Sequence, residues 1–320
     1  MSTITCKFGG TSLAGAENIR NVINIIESDD RRRYIVPSAP GKRSDDDKKI
    51  TDLLLGWFHI LQDGLDPAQP IEIIRSRFAE LKQKLGSSLD IDAELDAIIK
   101  EAPSHATSDY LASRGEYLNG KLMADLLDAT FIDPIEFIRF DVHGHLDPAT
   151  YDSLGSALEG DGRFVIPGFY GASPDGQVQT FGRGGSDVTG SVVARAVGSS
   201  LYENWTDVSG FRMTDPRIVP NARRIEEITY SELRELAYMG ASVVHDEAIF
   251  PLLEPGIPIN IRNTHDPENN GTMIVPDRDA EHPVCGIAAR SGFSMINIEK
   301  TLMNRELGFA LKPWQFLLTG

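Results

Sequence analysis

Two glycine turns, each placed between a strand pattern and a helix pattern, constrain the fold of this chain most. The first turn, KFGGTS at residues 7–12, follows an extended stretch over 4–8, and the second, FGRGGSD at residues 181–187, follows a similar stretch over 177–181. Beyond each turn, apolar residues recur every three to four positions, which is typical of an amphipathic helix. A strand that feeds a helix through a short turn is a unit of parallel sheets. The sequence therefore predicts an α/β fold.

The two turns carry side chains of both charges. Lys7 precedes the first glycine pair, while Arg183 and Asp187 flank the second. Free N–H groups at the start of a helix attract anions, and glycine allows a ligand to approach the backbone closely. This pattern favours a phosphate-handling site. The alternative is two plain turns with Ser186 or Asp187 as a helix cap. Neither turn matches a Walker loop or a dinucleotide fingerprint.

Composition narrows the class of protein. With 320 residues, of which 41% are hydrophobic, the chain can bury the core of one large α/β domain or two smaller ones. A formal net charge of -16 repels a nucleic-acid backbone, so we expect no nucleic-acid partner. Small anionic substrates are compatible with this charge where cations lie locally.

The sequence does not indicate export or insertion in a membrane. No apolar run approaches the ~18 residues that span a bilayer, and the N-terminus enters a strand without an apolar signal core. We therefore expect a cytoplasmic protein without a membrane partner. Cys6 and Cys285 form neither a CxxC pair nor a zinc-type cluster, so we interpret both as reduced packing residues and predict no metal-ligating side chains.

The remaining patterns alternate between strands and helices. Helical stripes fill residues 50–129, and the charged run at 44–49 is interpreted as a solvated loop. Further strands are predicted at 34–38, 164–169, 201–206, 257–261 and 273–275, and further helices near 186–197 and 229–250. Such alternation predicts a mostly parallel sheet with helices on both faces.

The pattern changes after Pro283. Two strand patterns, at 284–288 and 295–298, and a helix pattern over 301–310 follow before the chain stops at Gly320. A β-β-α fragment of this size cannot bury both of its faces alone. We therefore predict one domain at 1–283 and an incomplete second domain at 284–320, and we interpret the chain as a shortened form of a longer protein.

Six sequence blocks in order carry a resemblance to a known family. They are KFGGTS at 7–12, SAPGK at 38–42, RGE at 114–116, FGRGGSD at 181–187, WTDVSG at 205–210 and TDPR at 214–217. Together they resemble the aspartokinases, and six ordered blocks are far more specific than a lone glycine motif. The resemblance implies the amino-acid kinase fold, a three-layer sandwich with a mostly parallel central sheet. Its N-terminal lobe binds the phosphoryl acceptor and its C-terminal lobe binds ATP, both within 1–283.

The resemblance also implies a reaction. Aspartokinases transfer the γ-phosphoryl group of Mg-ATP to the side-chain carboxylate of L-aspartate, which yields 4-phospho-L-aspartate for lysine, threonine and methionine synthesis. ATP and Mg²⁺ are therefore the expected cofactors, and L-aspartate the expected partner. The acceptor is already an anion at neutral pH, so catalysis should consist of positioning and charge neutralisation without a general base.

By this resemblance the aspartate site comprises Ser38, Ala39, Thr51, Glu116, Arg183, Gly184, Ser186 and Asp187. Arg183 would pair with the α-carboxylate of the substrate, and Asp187 would accept from its ammonium group. Thr51 is placed by its neighbours, because residues 43–50 lengthen the preceding loop. Two alternatives stay open: Arg183 and Asp187 pair with each other, or Glu116 is an ordinary exposed glutamate on a helix.

The implied nucleotide site comprises Lys7, Gly9, Gly10, Ser12, Thr206, Asp207, Thr214, Asp215 and Arg217. Lys7 would stabilise charge on the γ-phosphate, and it joins Arg183 and Asp187 as the expected catalytic residues. Thr206 and Asp207 would hold adenosine, and Arg217 would contact phosphates. The alternatives are a strand-edge cation for Lys7 and a plain proline turn for TDPR.

The chain departs from the family pattern at Ser242, where many aspartokinases carry a lysine near the ATP phosphates. Arg212 and Arg217 are candidates to supply the missing charge. His245 is interpreted as a packing residue of a helix rather than a catalyst.

Residues after about 284 resemble the start of an ACT regulatory domain. In complete aspartokinases, paired ACT domains bind lysine or threonine and assemble the dimer, so we expect a homodimer in the full-length form. The chain either lacks feedback inhibition or belongs to a longer, regulated parent.

Two other functions are compatible with the sequence: a kinase for another small acceptor, such as glutamate, acetylglutamate, carbamate or UMP, and an inactive sensor of amino acid or nucleotide. The joint presence of KFGGTS, RGE and WTDVSG favours aspartate.

Overall fold

The structure is a computed structural model that describes residues 2–104, 107–238, 246–279, 284–289 and 292. The chain divides into two compact units, Met1–Ala288 and Ala289–Gly320. Apart from residues 289 and 292, the second unit lies outside the described residues. The predicted strand at 295–298, the predicted helix at 301–310, Ser242 and His245 also lie outside them, so those interpretations stay predictions.

The first unit contains an eight-stranded sheet in the order β3-β4-β2-β1-β7-β9-β10-β8. All neighbouring strands are parallel except β9 and β10, and β5 and β6 form a separate antiparallel pair. The predicted α/β fold with a mostly parallel sheet is therefore confirmed. The strands are β1 Ile4–Phe8, β2 Arg32–Pro37, β3 Thr130–Phe131, β4 Phe164–Val165, β5 Tyr170–Ala172, β6 Val178–Thr180, β7 Leu201–Thr206, β8 Glu227–Thr229, β9 Ile259–Asn263 and β10 Thr272–Val275.

Helices connect these strands and supply the outer layers. They are α1 Ala16–Glu27, α2 Ile50–Gln62, α3 Ala68–Leu85, α4 Ile91–Glu101, α5 Ser108–Leu126, α6 Pro134–Phe137, α7 Ala149–Ala157, α8 Gly185–Ala196, α9 Tyr230–Tyr238 and α10 Phe250–Leu253, with 3₁₀ turns at Gly10–Leu13 and Asp246–Ala248. The helical block predicted at 50–129 thus holds four helices. In the described part of the chain, no helix is long and apolar enough to cross a membrane.

The strand predicted at 284–288 is wrong, because residues 284–289 form no strand. Two other predicted elements have different bounds from those expected. The strand predicted at 164–169 ends at Val165, because Pro167 has no N–H to donate and Phe169 has a positive φ of 85°. The helix predicted at 229–250 begins as α9 but is described only to Tyr238, and residues 239–245 are not among the described ones.

The alternation of side chains along β1 decides which groups face which layer. Cys6 and Phe8 belong to the core that includes α1 to α5, so Lys7 points to the opposite face. That face is covered by α8 through Val192 and Val193, which share a second core with the sheet. Lys7 is in register with Asn204 of β7. Two polar side chains are thereby placed side by side under the start of α8.

The carboxyl ends of parallel strands meet at one edge of a sheet, which is the usual ligand edge of α/β proteins. Here β1, β2, β7 and β9 all end at that edge. Their following residues are Gly9, Ser38, Asp207 and Thr264. The predicted site residues Gly9, Ser38 and Asp207 therefore lie at the same edge of the sheet.

Two loops at this edge touch through glycine backbones. The N–H of Gly41 donates to the carbonyl of Gly10 at 2.8 Å. The buried Arg77 of α3 donates to the carbonyls of Gly41 and Ala14 and pairs with Asp47 at 3.1 Å. The charged run at 44–49, interpreted as a solvated loop, therefore includes an anchor for a buried arginine that periodicity did not indicate.

We predict that Gly41→Ala destabilises the protein by roughly 1–3 kcal/mol, because overpacking at this scale forces the backbone to shift. A Cβ at Gly41 would lie 2.6 Å from the carbonyl carbon and oxygen of Gly10. Urea unfolding measures the loss. Gly56→Ala is the matched control, since a Cβ there meets nothing within 4 Å inside α2. It should be neutral or stabilise by about 0.5–1 kcal/mol. Equal stability of the two variants would contradict the close contact.

Candidate active site

A buried ion pair joins the two glycine turns. The Nζ of Lys7 lies 2.6 Å from Oδ1 of Asp187, and the two side chains are only 10% and 12% exposed. Lys7 comes from β1 and Asp187 from the first turn of α8. The pair therefore brings two of the three expected catalytic residues into direct contact across 180 positions of chain.

Asn204 supports this pair and was not identified from the sequence. Its Nδ2 donates to the same Oδ1 of Asp187 at 2.9 Å. Since Asn204 pairs in register with Lys7, both reach Asp187 from one face of the sheet. The alternative in which Arg183 pairs with Asp187 is wrong, because Asp187 pairs with Lys7 instead. In the sequence, Asn204 is marked only by its position directly before the WTDVSG block, two residues before the end of β7.

Some backbone N–H groups of the first glycine turn already donate hydrogen bonds within the protein. The N–H of Gly9 donates to the carbonyl of Trp205 at 3.1 Å, and the N–H of Ser12 donates to the carbonyl of Gly9 at 3.0 Å. In the described part of the chain, the N–H groups of Gly10 and Thr11 have no such partner. These two groups, rather than that of Gly9, are free to meet an anion.

Ser12 is oriented away from this role. It is 1% exposed, and its hydroxyl shares a 2.9 Å hydrogen bond with that of Thr264, the residue after β9. Thr264 also donates from its backbone N–H to the carbonyl of Thr206. Ser12 thus ties the first turn to the ends of β7 and β9.

The second glycine turn begins α8 with an unusual backbone. Gly184 is the N-cap residue and has φ 73°, a region that glycine enters without strain. A Cβ at Gly185 would lie 2.6 Å from the ring of Phe169, which itself has φ 85°. A positive φ is costly for a bulky residue and is typically retained at functional sites. Ser186 is buried against Gly168.

Arg183 is exposed just before α8. Among the described residues, its guanidinium makes no hydrogen bond or ion pair, so its charge is available to an incoming anion. The β5–β6 hairpin that leads into this turn is fastened to α5. The N–H of Thr180 donates to Oδ2 of Asp109 at 2.9 Å, and Arg114 lies 5.2 Å from the ring of Tyr170.

Glu116 is buried at 6% exposure, which contradicts the alternative of an exposed helical glutamate. Burial raises the pKa of its carboxyl to about 8, and the backbone N–H of Ala39 opposes this rise only in part. Its Oε2 is buried without a hydrogen-bond partner. A buried acceptor left unpaired costs roughly 1–3 kcal/mol, so the site holds a group prepared for a donor.

The loop after β2 packs closely on α5 beside Glu116. Asn119 donates from Nδ2 to the carbonyl of Ser38 at 2.7 Å. A Cβ at Gly115 would lie 2.8 Å from that of Ala39, so this glycine permits the close approach. Thr51 is half-buried and lies in the first turn of α2, the helix that follows the same loop. The predicted aspartate residues Ser38, Ala39 and Glu116 are therefore brought together.

Asp207 lies at the end of β7 beside the first glycine turn. Thr206 donates to it from its hydroxyl at 3.2 Å. Asp207 and Thr11 line one cleft of about 770 Å³, together with Lys42 and His265. This volume lies within the range of small-ligand sites, roughly 300–1,000 Å³. Asp207 and Thr11 are therefore accessible from the same open space.

The TDPR block forms a capped proline turn, as its alternative interpretation proposed. Asp215 accepts from the N–H of Arg217 at 2.8 Å and pairs with its guanidinium at 2.6 Å. Thr214 is half-buried in front of this turn. Arg212, the other candidate to replace a lysine at Ser242, donates to the carbonyl of Ala222. Among the described residues, no hydrogen bond or ion pair links this turn to Lys7 or Asp187.

A second buried network lies under the first turn, on the other face of the sheet. Glu203 accepts from Nε of Arg32 at 2.7 Å, from the indole of Trp205 at 2.9 Å and from Cys6 at 3.3 Å. Although burial raises the pKa of Glu203, these bonds outweigh it and hold the pKa below its ordinary value. Because Trp205 carries the carbonyl that holds Gly9, the network positions the first turn. Both cysteines are free thiols, as expected.

Comparison with known proteins identifies the family. A scan against protein-family models matches residues 2–263 to the amino acid kinase family. Aspartokinase 3 of Bacillus subtilis is 39% identical over 97% of this chain and 72% of its own length. The chain belongs to the aspartokinases.

Solved aspartokinase structures share the fold of this aspartokinase chain. The aspartate kinase of Clostridium acetobutylicum matches it with a TM-score of 0.89 at 44% identity, over 100% of this chain and 74% of that one. E. coli aspartokinase III in complex with aspartate and ADP matches with a TM-score of 0.75 at 28% identity, over 87% of this chain and 65% of that one. The resemblance inferred from six blocks is confirmed.

We predict that Glu116→Gln becomes more stable than the wild type as pH rises. The folded carboxyl has a pKa of about 8 against an ordinary 4.5. Between these values the unfolded chain ionises while the folded chain keeps its proton, so wild-type stability falls with rising pH and levels off above 8. The gap in melting temperature should therefore widen by a few degrees from pH 5 to pH 8, since one pKa unit corresponds to about 1.4 kcal/mol.

Thermal unfolding without substrate between pH 5 and pH 9 measures this gap. Glu72→Gln, at an exposed position of α3, is the control and should follow the wild type. A gap for Glu116→Gln that stays constant across this range would show that Glu116 is not a buried acid.

Proposed function

We propose that this aspartokinase transfers the γ-phosphoryl group of ATP to the β-carboxylate of L-aspartate, giving 4-phospho-L-aspartate and ADP, the first step of lysine, threonine and methionine biosynthesis. The observation that carries the proposal is the buried Lys7–Asp187 pair beside the free N–H groups of Gly10 and Thr11. The similar E. coli aspartokinase III has been solved with aspartate and ADP. An anion-binding turn and a fixed cation are what phosphoryl transfer requires.

In this proposal Lys7 is the catalytic cation. The β-carboxylate oxygen attacks phosphorus, the bond to the bridging oxygen of ADP breaks, and negative charge shifts toward the leaving phosphate. Lys7 stabilises charge on the transferring group from a fixed position, since Asp187 holds its Nζ and Asn204 holds Asp187. Preorganised charges of this kind need no rearrangement during the reaction.

Glu116 is the better acceptor for the substrate ammonium group, which revises the expectation for Asp187. Oδ1 of Asp187 is already committed to Lys7 and Asn204, whereas Oε2 of Glu116 is buried and unpaired. Arg183 keeps its proposed role at the α-carboxylate, because its exposed guanidinium is unpaired in the described part of the chain. Its planar fork fits a carboxylate with two hydrogen bonds.

The remaining predicted contacts are proposed for the aspartate side or the nucleotide side of the site. Ser38, Ala39, Thr51, Gly184 and Ser186 would line the aspartate pocket, and Gly9, Gly10, Ser12, Thr206 and Asp207 the nucleotide side. We assign Ser12 an indirect role through Thr264. Arg217 would contact phosphates only by leaving Asp215, to which it is bonded here. Thr214 and Asp215 stay proposed nucleotide contacts.

Mg²⁺ is proposed as the companion of ATP. Among the described residues, no group of three metal-ligating side chains is present, which fits an ion bound mainly by nucleotide phosphates and water. The second carboxylate oxygen of Asp187 and the exposed Asp207 are the candidates to contact it. When bound, it would neutralise phosphate charge in a protein whose net charge is -16.

We also propose that 1–283 is the catalytic domain, that 284–320 begins an ACT-like domain and that the full-length protein is a homodimer.

The test is an assay of aspartyl hydroxamate with Mg-ATP, L-aspartate and hydroxylamine, with L-glutamate and no acceptor as blanks. We predict that Lys7→Ala lowers kcat by about 10²–10³-fold, the scale of losing one charge-stabilising group, while KM for aspartate changes little. Lys100→Ala, at an exposed position of α4, should match the wild type.

A paired variant separates catalysis from stability. Removing Lys7 alone leaves Asp187 as a buried unpaired charge, which is destabilising, whereas replacing both partners is close to neutral. Lys7→Met combined with Asp187→Asn should therefore recover the melting temperature and remain inactive. No aspartate-dependent product from the wild type, or full activity in the double variant, would overturn the proposed function.

A further inference from the structure

Asn119 occupies a position next to the proposed ammonium acceptor. It lies three residues after Glu116 on α5, so the two side chains share one face of the helix. Both reach the same short loop: Asn119 bonds the carbonyl of Ser38, and Glu116 interacts with the N–H of Ala39. Consecutive backbone groups of one loop thus hold both side chains, which places them side by side.

The orientation of the Asn119 amide is decided by this contact. A carbonyl oxygen only accepts, so the NH₂ end must face Ser38, and Oδ1 must point elsewhere. Asn119 is 0% exposed, and its Oδ1 is buried without a hydrogen-bond partner. It is therefore a fixed acceptor that lacks a donor.

Unpaired buried oxygens are concentrated here. In the described part of the chain, the side-chain oxygens in this state are Oε2 of Glu116, Oδ1 of Asn119 and Oδ1 of Asn260. The first two lie within one turn of the same helix. Leaving both unpaired opposes folding, so their joint presence indicates a common donor group that arrives from outside the chain.

We propose that Oδ1 of Asn119 and Oε2 of Glu116 together bind the α-ammonium group of the acceptor, which makes Asn119 a specificity residue. An ammonium group carries three N–H donors, and two adjacent buried acceptors accommodate two of them. Asn119 thereby selects an α-amino acid over a dicarboxylate of the same length without an amino group. The inference rests on the proposed aspartate kinase activity.

A competing explanation is purely structural. Asn119 also fixes the loop that carries Ser38 and Ala39, so its loss could disturb the pocket as a whole. Such a disturbance would weaken every ligand of the pocket to a similar extent and would lower kcat as well. Loss of an ammonium contact would instead weaken only ligands that carry the amino group, since uniform binding energy appears in KM.

The experiment compares L-aspartate with succinate and L-malate, which lack the amino group. For the wild type, Asn119→Leu and Asn119→Ala, KM for aspartate and inhibition constants for the two analogues are measured in the hydroxamate assay. We predict that KM for aspartate rises about 10-fold or more in both variants, equivalent to about 1.4 kcal/mol. The ratio of each analogue's inhibition constant to this KM should fall by the same factor.

Ser113→Ala is the matched control, because Ser113 is buried on the same helix and bonds the carbonyl of Tyr110 instead. It should leave the ratio unchanged. An unchanged ratio in both Asn119 variants would overturn the inference. If neither analogue inhibits the wild type, the kcat of the Asn119 variants is compared with that of the wild type. A raised KM for aspartate with an unchanged kcat supports the ammonium contact, whereas a parallel fall in kcat contradicts it.

Product formation by the wild type distinguishes a failure of this inference from a failure of the proposed function. Without aspartate-dependent product in the wild type, the function itself fails. With product in the wild type and equal weakening of all ligands in the variants, only the role of Asn119 fails. Use of two variants of different size keeps the result interpretable if one of them does not fold.

Discussion

The buried pair between Lys7 and Asp187 is the interaction on which the site depends. A lysine and an aspartate at 10% and 12% exposure are stable only when geometry and further hydrogen bonds offset the loss of water. Asn204 supplies such a bond. Because the three groups come from β1, α8 and β7, any change in the packing of α8 on the sheet would break the pair. The fold therefore holds the proposed catalytic cation in place before substrate arrives, which is the condition for electrostatic catalysis.

Buried polar groups in the interior of the sheet differ from those at its ligand edge. Under the first turn, the Glu203 carboxylate is satisfied by Arg32 and Trp205 and serves the fold. At the ligand edge, Glu116 and Asn119 keep buried oxygens without hydrogen-bond partners, which costs stability. Proteins retain such unfavourable groups where a ligand later satisfies them. The distribution of unpaired atoms thus separates the proposed binding groups from the structural ones.

Sequence reasoning succeeded where local patterns decide structure. β1 was predicted at its observed bounds, β7 likewise, and α8 within one residue, because alternation and turns mark them clearly. It failed where long-range contacts decide. The burial of Glu116 was not predicted, since α5 is packed on nearly all sides and shows no polar face. The anchor at Arg77 was missed because its partners are backbone carbonyls of distant loops, which leave no pattern in the sequence.

The sequence by itself determined the family, the order of the motifs and the parallel sheet, because glycine turns between strands and helices permit few arrangements. Only the tertiary structure decided which charges meet. Lys7 and Asp187 are 180 positions apart, and their contact follows from the register of β1 with β7 and the docking of α8. Pairing of charges depends on distances of a few ångströms between elements, whereas residue patterns report only the direction of side chains within one element. The commitment of Asp187 to Lys7, and the unpaired Oε2 of Glu116, are consequences of that geometry.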